Sequence, residues 1–298
     1  MEQESNNKNN NNHIEEEDNE KPDHSELEQS STIQKKQRLM PKRGEYRMRA
    51  HINPLNDTPF PYPLNPDYVN WKIHYPKFFD GTDEENQKVF CNTNEHPQTY
   101  DEEINPLYNG LNGAQPVFLD IGCGFGGLVF NLAKNFPEKL VLGLEIRDKL
   151  VNFVSEKIRA LRIESPDHKY NNAACIRTNA MRHIIQYFRK GSIEKMFFCF
   201  ADPHFKKSNH RRRIINTGFL SEYAFLLKPK GRIYCITDVE DLHNWQEEHL
   251  AKHRMFRKLS EEELVGDICV QLIQDSTEEG QKVTRNGGKK WTCVFERI

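Results

Sequence analysis

From Val117 onward, short apolar runs alternate with stretches whose apolar residues recur at helical spacing. Val117–Asp120 is the first run, and Gly122, Gly124, Gly126 and Gly127 follow it directly. Leu128, Val129, Leu132 and Ala133 then share one helical face, so the segment reads as strand, tight glycine turn, helix. Leu140–Glu145 is a second strand ending on an acid. Asp148–Glu164 is a long helix with Leu150, Val151, Val154, Ile158 and Leu161 on one side and Pro166 beyond its end. Ala173–Thr178 is the third strand. Met181, Ile184, Ile185 and Phe188 mark the next helix, and Lys195–Phe200 is a strand apolar on both faces, as a buried parallel strand requires. A helix over Phe219–Leu227, stopped by Pro229 and Gly231, precedes a fifth strand, Arg232–Thr237, and a helix over Leu242–Leu250. Cys269–Gln274 and Trp291–Glu296 read as two final strands with no helix between them. The expected fold is α/β: a Rossmann-like, mostly parallel sheet with an antiparallel C-terminal hairpin.

The first 115 residues lack this rhythm. Residues 1–40 are poor in apolar side chains and contain an Asn-rich run, Asn6–Asn12, so they form an expected disordered acidic tail. Residues 41–115 read as a basic and aromatic arm with a polar linker, and 116–298 as the catalytic domain. Arg47, Arg49, His51, Tyr62, Tyr68, Trp71 and Tyr75 interleave cations with rings, which suits either an RNA surface or an arm packed on the body. Residues 1–30 hold ten acids and two lysines, a net of −8, so the total of −2 leaves +6 for the rest. A basic body points to a polyanionic partner. The seven cysteines are scattered without a Cys-x-x-Cys pair, which argues for reduced thiols and against a disulfide framework or zinc site. No apolar run is long enough to cross a bilayer and no secretory signal opens the chain. The basic cluster Lys35–Arg43 reads as a nuclear-import signal, a phosphate contact or a solvated linker; the location expected is the nucleus, with the cytoplasm second.

The spacing Gly122-x-Gly124-x-x-Gly127 fits dinucleotides and S-adenosylmethionine equally. Glu145 falls 23 residues beyond Gly122, where an acid accepts hydrogen bonds from both ribose hydroxyls of an adenosine. In a doubly wound sheet the ligand sits at the carboxyl ends of the strands, which here offer Gly122, Glu145, Asn179, Asp202 and Asp238. Asp202 heads Ala201–Lys207, and the densest basic tract follows: Lys206, Lys207, His210, Arg211, Arg212 and Arg213. Beside a catalytic rim such a tract reads as a phosphate clamp.

The sheet with its final hairpin is typical of class I S-adenosylmethionine-dependent methyltransferases rather than of dehydrogenases, and these blocks resemble the tRNA (guanine-N7)-methyltransferase family in its eukaryotic form. The matching stretches are Arg49–Pro54, Asp120–Gly127, Leu142–Arg147, Arg177–Met181, Met196–Lys206, Ile236–Val239, Ser276–Gly280 and Arg285–Gly288, over about residues 42–298. The glycine motif is common to many enzymes; Asp202–Lys206 and Thr277–Gly280 are far more specific. The resemblance implies that Gly122, Glu145, Ile146, Arg147, Asn179, Ala180 and Cys199 contact S-adenosyl-L-methionine and that Asp202 is catalytic. It implies that Lys206 and Asp238 contact substrate, with Lys207, Arg211 and Arg212 as phosphate contacts from the basic tract. Thr277, Glu278 and Glu279 would close the site from the C-terminal side, against cofactor or guanine. It implies no metal. It also implies N7 of a variable-loop guanine in tRNA as target and a non-catalytic WD-repeat subunit as partner. Two departures stand out: Ala201 where the family usually has proline, and Cys199 where aliphatic residues are common. The competing readings are a methyltransferase fold that only binds RNA, an N7-guanine methyltransferase for another RNA, and an NAD-linked dehydrogenase, which lacks an identifiable hydride-transfer histidine.

Overall fold

The computed structural model describes residues 40–48, 52–55, 61–93, 100, 114–165 and 169–298. The acidic tail expected over 1–40 lies outside these residues but for Met40, as do Arg49 and His51 of the arm. Met40–Ile298 forms one compact unit.

Seven strands make one sheet: β1 (Phe118–Ile121), β2 (Val141–Glu145), β3 (Ala173–Arg177), β4 (Ile193–Cys199), β5 (Leu227–Thr237), β6 (Phe256–Lys258) and β7 (Trp291–Arg297). Their order is β3-β2-β1-β4-β5-β7-β6. The first five are parallel, whereas β7 runs antiparallel to both β5 and β6. The chain therefore reverses direction of growth between β1 and β4, and a crevice opens at their carboxyl ends. Asp120 lies opposite both Gly143 of β2 and Phe197 of β4.

Both sheet faces are covered. Leu119 and Ile121 join one apolar cluster and Phe118 the other, so the alternation within β1 feeds two cores. Helices α3 (Gly127–Asn135), α4 (Asp148–Glu164) and α8 (Ile268–Asp275) cover the Phe118 side. Helices α5 (Ala180–Tyr187) and α6 (Thr217–Leu226) cover the other, and Leu250 of α7 (Glu240–Lys252) joins them. The arm contributes α1 (Trp71–His74) to that second face, while α2 (Asp83–Gln87) packs against α4. Trp71 stacks on Phe188 with ring centroids 5.6 Å apart, and the Tyr75 hydroxyl donates to the Val141 carbonyl at 3.0 Å. For these two rings the arm is packing material. Tyr62 is half exposed and stacks on His183 at 4.1 Å.

The region 80–115, expected to be a polar linker, includes a structural cap on the sheet edge. Asn92 is buried; its side chain donates to the Arg177 carbonyl at 2.9 Å and accepts from the Arg177 N–H at 2.7 Å. That occupies part of the outer edge of β3, which would otherwise be open to pairing.

The C-terminal expectation needs correction. Cys269–Gln274 is no strand: it lies within α8, and α8 and α9 (Glu278–Arg285) separate β6 from β7. Asp267 caps α8, its Oδ1 accepting from the Cys269 N–H at 3.0 Å, and Cys269 and Ile273, one turn apart, are buried beside α3. The antiparallel edge survives with β6 as its outer strand. Pro229 and Gly231, expected to end a helix, lie inside β5 at a break in register against β4.

Candidate active site

The β1–α3 turn sets the floor. Gly122 and Gly124 have φ of +79° and +56°, and a Cβ on either would meet no protein atom within 4 Å. Their bareness serves the open crevice. Gly127 is bare for a different reason. A Cβ there would lie 2.2 Å from the Ser276 carbonyl and about 3 Å from the Glu278 carboxylate. The α8–α9 connection thus packs directly on the first turn of α3, and Glu278 is further ion-paired to Arg43 at 2.6 Å.

Glu145, at the end of β2, is buried. Its Oε1 accepts from the Ile146 N–H at 2.9 Å and the Arg147 N–H at 3.0 Å; its Oε2 accepts from the Gly124 N–H at 3.0 Å. Asn179, after β3, caps α5 by accepting from the Met181 N–H at 3.1 Å, and its amide donates to the Pro54 carbonyl at 2.6 Å. Asp202 follows β4 and is 29% exposed, with its Oδ1 accepting from the His204 N–H at 3.1 Å. Phe200 and His204 flank it at φ +52° and +44°, conformations that cost non-glycine residues about 1–3 kcal/mol each. Phe200 is held against Gly280 of α9, where a Cβ would come within 3.3 Å of its ring. Asp238 stands after β5 on the exposed rim.

These five strand ends line one cleft of about 470 Å³. Ile146, Arg147, Ala180, Cys199, Arg212 and Glu279 line it too. Burial keeps the Cys199 thiol well above its ordinary pKa and therefore neutral. Asp120, buried beneath the floor, is pushed up to about 8 by desolvation and by the Glu278 and Glu145 carboxylates.

Other expected residues fall elsewhere. Thr277 caps α9, its hydroxyl accepting from the Gly280 N–H at 3.0 Å, and neither it nor Glu278 lines the cleft. Lys206, Lys207 and Arg211 are exposed outside it. The basic tract is split by its three-dimensional course. Arg212 faces the cleft with a buried Nε that has no hydrogen-bond partner among the described residues. Arg213 is only 4% exposed, which removes it from the phosphate clamp. Its Nε donates to the Pro203 carbonyl at 2.8 Å, and its guanidinium lies 4.7 Å from the Trp245 ring centroid. It braces the Asp202 loop from behind. Sequence reasoning missed Ile52, Pro54 and Lys282 as lining residues. Only the family block Arg49–Pro54 hinted at the first two.

All seven cysteines are free thiols. Among the described residues one group of metal-ligating type, His243, Glu247 and Cys293, brings its donor atoms within 4.8 Å of one another, away from the cleft; Glu247 there is ion-paired to Lys258. Among the described residues no helix is long and apolar enough to cross a membrane.

The cleft combines a buried acid for a diol, apolar walls from Ile121, Leu144, Ile146 and Met181, and a carboxylate and guanidinium at its mouth. Adenosine-bearing ligands fit that set. A family model described as "Putative methyltransferase" matches residues 114–293. The tRNA (guanine-N(7)-)-methyltransferase of Arabidopsis thaliana is 45% identical over 271 residues, covering 91% of this chain and 97% of its own. The proteins of that name from Brugia malayi and Danio rerio are each 43% identical, covering 88% and 87% of this chain and 88% and 96% of their own. The chain belongs to the tRNA (guanine-N7)-methyltransferase family.

Proposed function

We propose that this chain transfers a methyl group from S-adenosylmethionine to N7 of a guanine in the variable loop of tRNA. The observation that carries the reading is the position of Asp202: a half-buried carboxylate at the mouth of a cleft that ends on Gly122 and Glu145. Family membership supports the reaction and the tRNA substrate. Glu145 would hold the ribose, Gly122 and Ile146 the adenosine, and Asn179, Ala180 and Glu279 the far wall.

When bound, S-adenosylmethionine supplies an electrophilic methyl on a sulfonium. N7 of neutral guanine has a lone pair and no proton, so the chain needs no general base. What it must supply is alignment, with the reacting atoms about 3–3.5 Å apart. Asp202 accepts hydrogen bonds from the guanine N1–H and N2–H edge and stabilises the positive charge that grows on the purine. The His204 N–H holds that carboxylate in place beforehand. Arg212 and Asp238 line the cleft where the substrate would enter. Exposed Lys206, Lys207 and Arg211 extend the positive surface outward, where tRNA phosphates would lie.

A guanine engaged in the tertiary structure of tRNA must be pulled out at a cost that binding elsewhere offsets. A non-catalytic WD-repeat subunit would add that binding surface, and the nucleus is the compartment we propose. The test uses the full chain, with and without a co-expressed WD-repeat subunit, bulk tRNA and labelled S-adenosylmethionine, followed by borohydride–aniline cleavage at N7-methylguanosine. Cleavage at a variable-loop guanine is expected. S-adenosylhomocysteine binding without any RNA labelling would sink the reading.

A further inference from the structure

The Asp202 loop carries one side chain that the site as described does not use. Phe205 is 72% exposed, whereas the next most exposed aromatics among the described residues, Tyr62 and Phe225, are each 46% exposed. Among the described residues its ring makes no ring contact. Single exposed apolar side chains are ordinary on protein surfaces. Three observations set this one apart. It stands three residues after Asp202 and directly after His204, both of which line the cleft. Two exposed lysines, Lys206 and Lys207, follow it directly. And the backbone that presents it is braced: Arg213 holds the Pro203 carbonyl at 2.8 Å, the His204 N–H is bonded to Asp202, and His204 itself sits at φ +44°. An exposed ring on a braced loop, between a cleft-lining residue and two cations, has the makings of a stacking platform.

We propose that Phe205 is a nucleobase-stacking site, taking the RNA base next to the reacting guanine. This rests on the reading of the chain as an RNA guanine methyltransferase and adds a recognition element to it. Drawing the guanine into the cleft strips its neighbour of a stacking partner. The Phe205 face replaces that partner, while Lys206 and Lys207 meet the adjoining phosphates. Every base has a π-face, so the contact is tolerant of sequence and suits an enzyme acting on many tRNAs.

The test compares wild type, Phe205→Ala, Phe205→Leu and Phe205→Trp in the full chain, alone and with the co-expressed WD-repeat subunit. Stacking predicts that Phe205→Ala lowers kcat/KM for tRNA about 10- to 100-fold. Phe205→Trp should stay close to wild type, and Phe205→Leu, of similar bulk but without a π-face, should resemble Phe205→Ala. S-adenosylhomocysteine affinity should be the same in all four, which establishes that the site is folded. A second readout is independent of turnover: 2-aminopurine placed beside the target guanine should be quenched on wild type and on Phe205→Trp, and less so on Phe205→Ala. Equal turnover in all four variants, or Phe205→Leu matching Phe205→Trp, overturns the proposal. If wild type methylates nothing yet quenches 2-aminopurine through Phe205, stacking stands and the reaction assignment falls. If wild type shows neither, both fall.

Discussion

The Arg147 guanidinium lies along the Glu145 carboxylate, with Nε 3.0 Å from Oε1 and Nη2 3.0 Å from Oε2. With the backbone N–H groups of Gly124, Ile146 and Arg147 added, five donors orient the acid at the end of β2, which is 2% exposed and still lines the cleft. It enters ligand binding already oriented. Glu145→Gln keeps the shape and removes the charge. A hydrogen bond to a charged group is worth about 1.5–3 kcal/mol, so S-adenosylhomocysteine should bind about 10- to 100-fold more weakly by calorimetry. An unchanged Kd would mean that Glu145 only ties down the glycine turn through Gly124.

Asp202 should behave as a charge stabiliser. Asp202→Ala is expected to lower turnover on tRNA about 10²- to 10³-fold, the range for loss of one preorganised electrostatic group. S-adenosylhomocysteine affinity should change little, because the guanine side of the cleft is what is lost. Near-normal turnover in Asp202→Ala would overturn this role.

The basic tract divides into clamp and brace, and salt separates the two. Each exposed cation that meets a phosphate contributes about 0.7–0.9 to the slope of log affinity against log salt. Lys206→Ala, Lys207→Ala and Arg211→Ala should each flatten the slope by about that much. Arg213→Met should leave the slope alone, because Arg213 is buried against Trp245 and Pro203. It should instead lower kcat, about 10-fold if the Asp202 loop loosens by the loss of one hydrogen bond of about 1–1.5 kcal/mol. A reduced salt slope in Arg213→Met would return it to the clamp.

Much of this was readable along the chain. The helix Asp148–Glu164 has the expected ends, and the strand-end residues Gly122, Glu145, Asn179, Asp202 and Asp238 do meet in one cleft. Periodicity and turn chemistry are local, so both survive translation into sequence. Cys269–Gln274 was misread because a short apolar run looks the same in a buried strand and in one face of a short helix. The Asp267 cap was the available signal. The three-residue β6 has too little pattern to detect. Arg213 could not be told from Arg211 and Arg212, since only packing against Trp245, 32 residues on, buries it. Pro54 and Lys282 reach the cleft from the two ends of the domain, and local periodicity says nothing of such contacts.

Asp120 should give the protein a distinct pH signature. Desolvation, with Glu278 and Glu145 nearby, raises its pKa from 3.8 to about 8. The folded chain therefore keeps a proton that the unfolded chain releases near pH 4. Between those values the folded state binds more protons, so stability falls as pH rises, by at most about 1.4 kcal/mol per pH unit from this group. The contribution is complete below the unfolded pKa and is gone above pH 8. His74 acts with the opposite sign in a lower window. Burial, with the Arg162 charge, depresses its pKa from 6.5 to about 3, so its contribution is lost as pH drops from 6.5 toward 3. Between pH 6.5 and 8 the Asp120 slope stands clear of the His74 one. Melting temperature followed across that window should fall more steeply, or rise less, in wild type than in Asp120→Asn, because the Cys293 thiol, lowered to about 7, acts in both proteins with the opposite sign. Parallel curves would mean that the Asp120 carboxylate is already ionised in the folded protein throughout, with a cation beside it that offsets the burial.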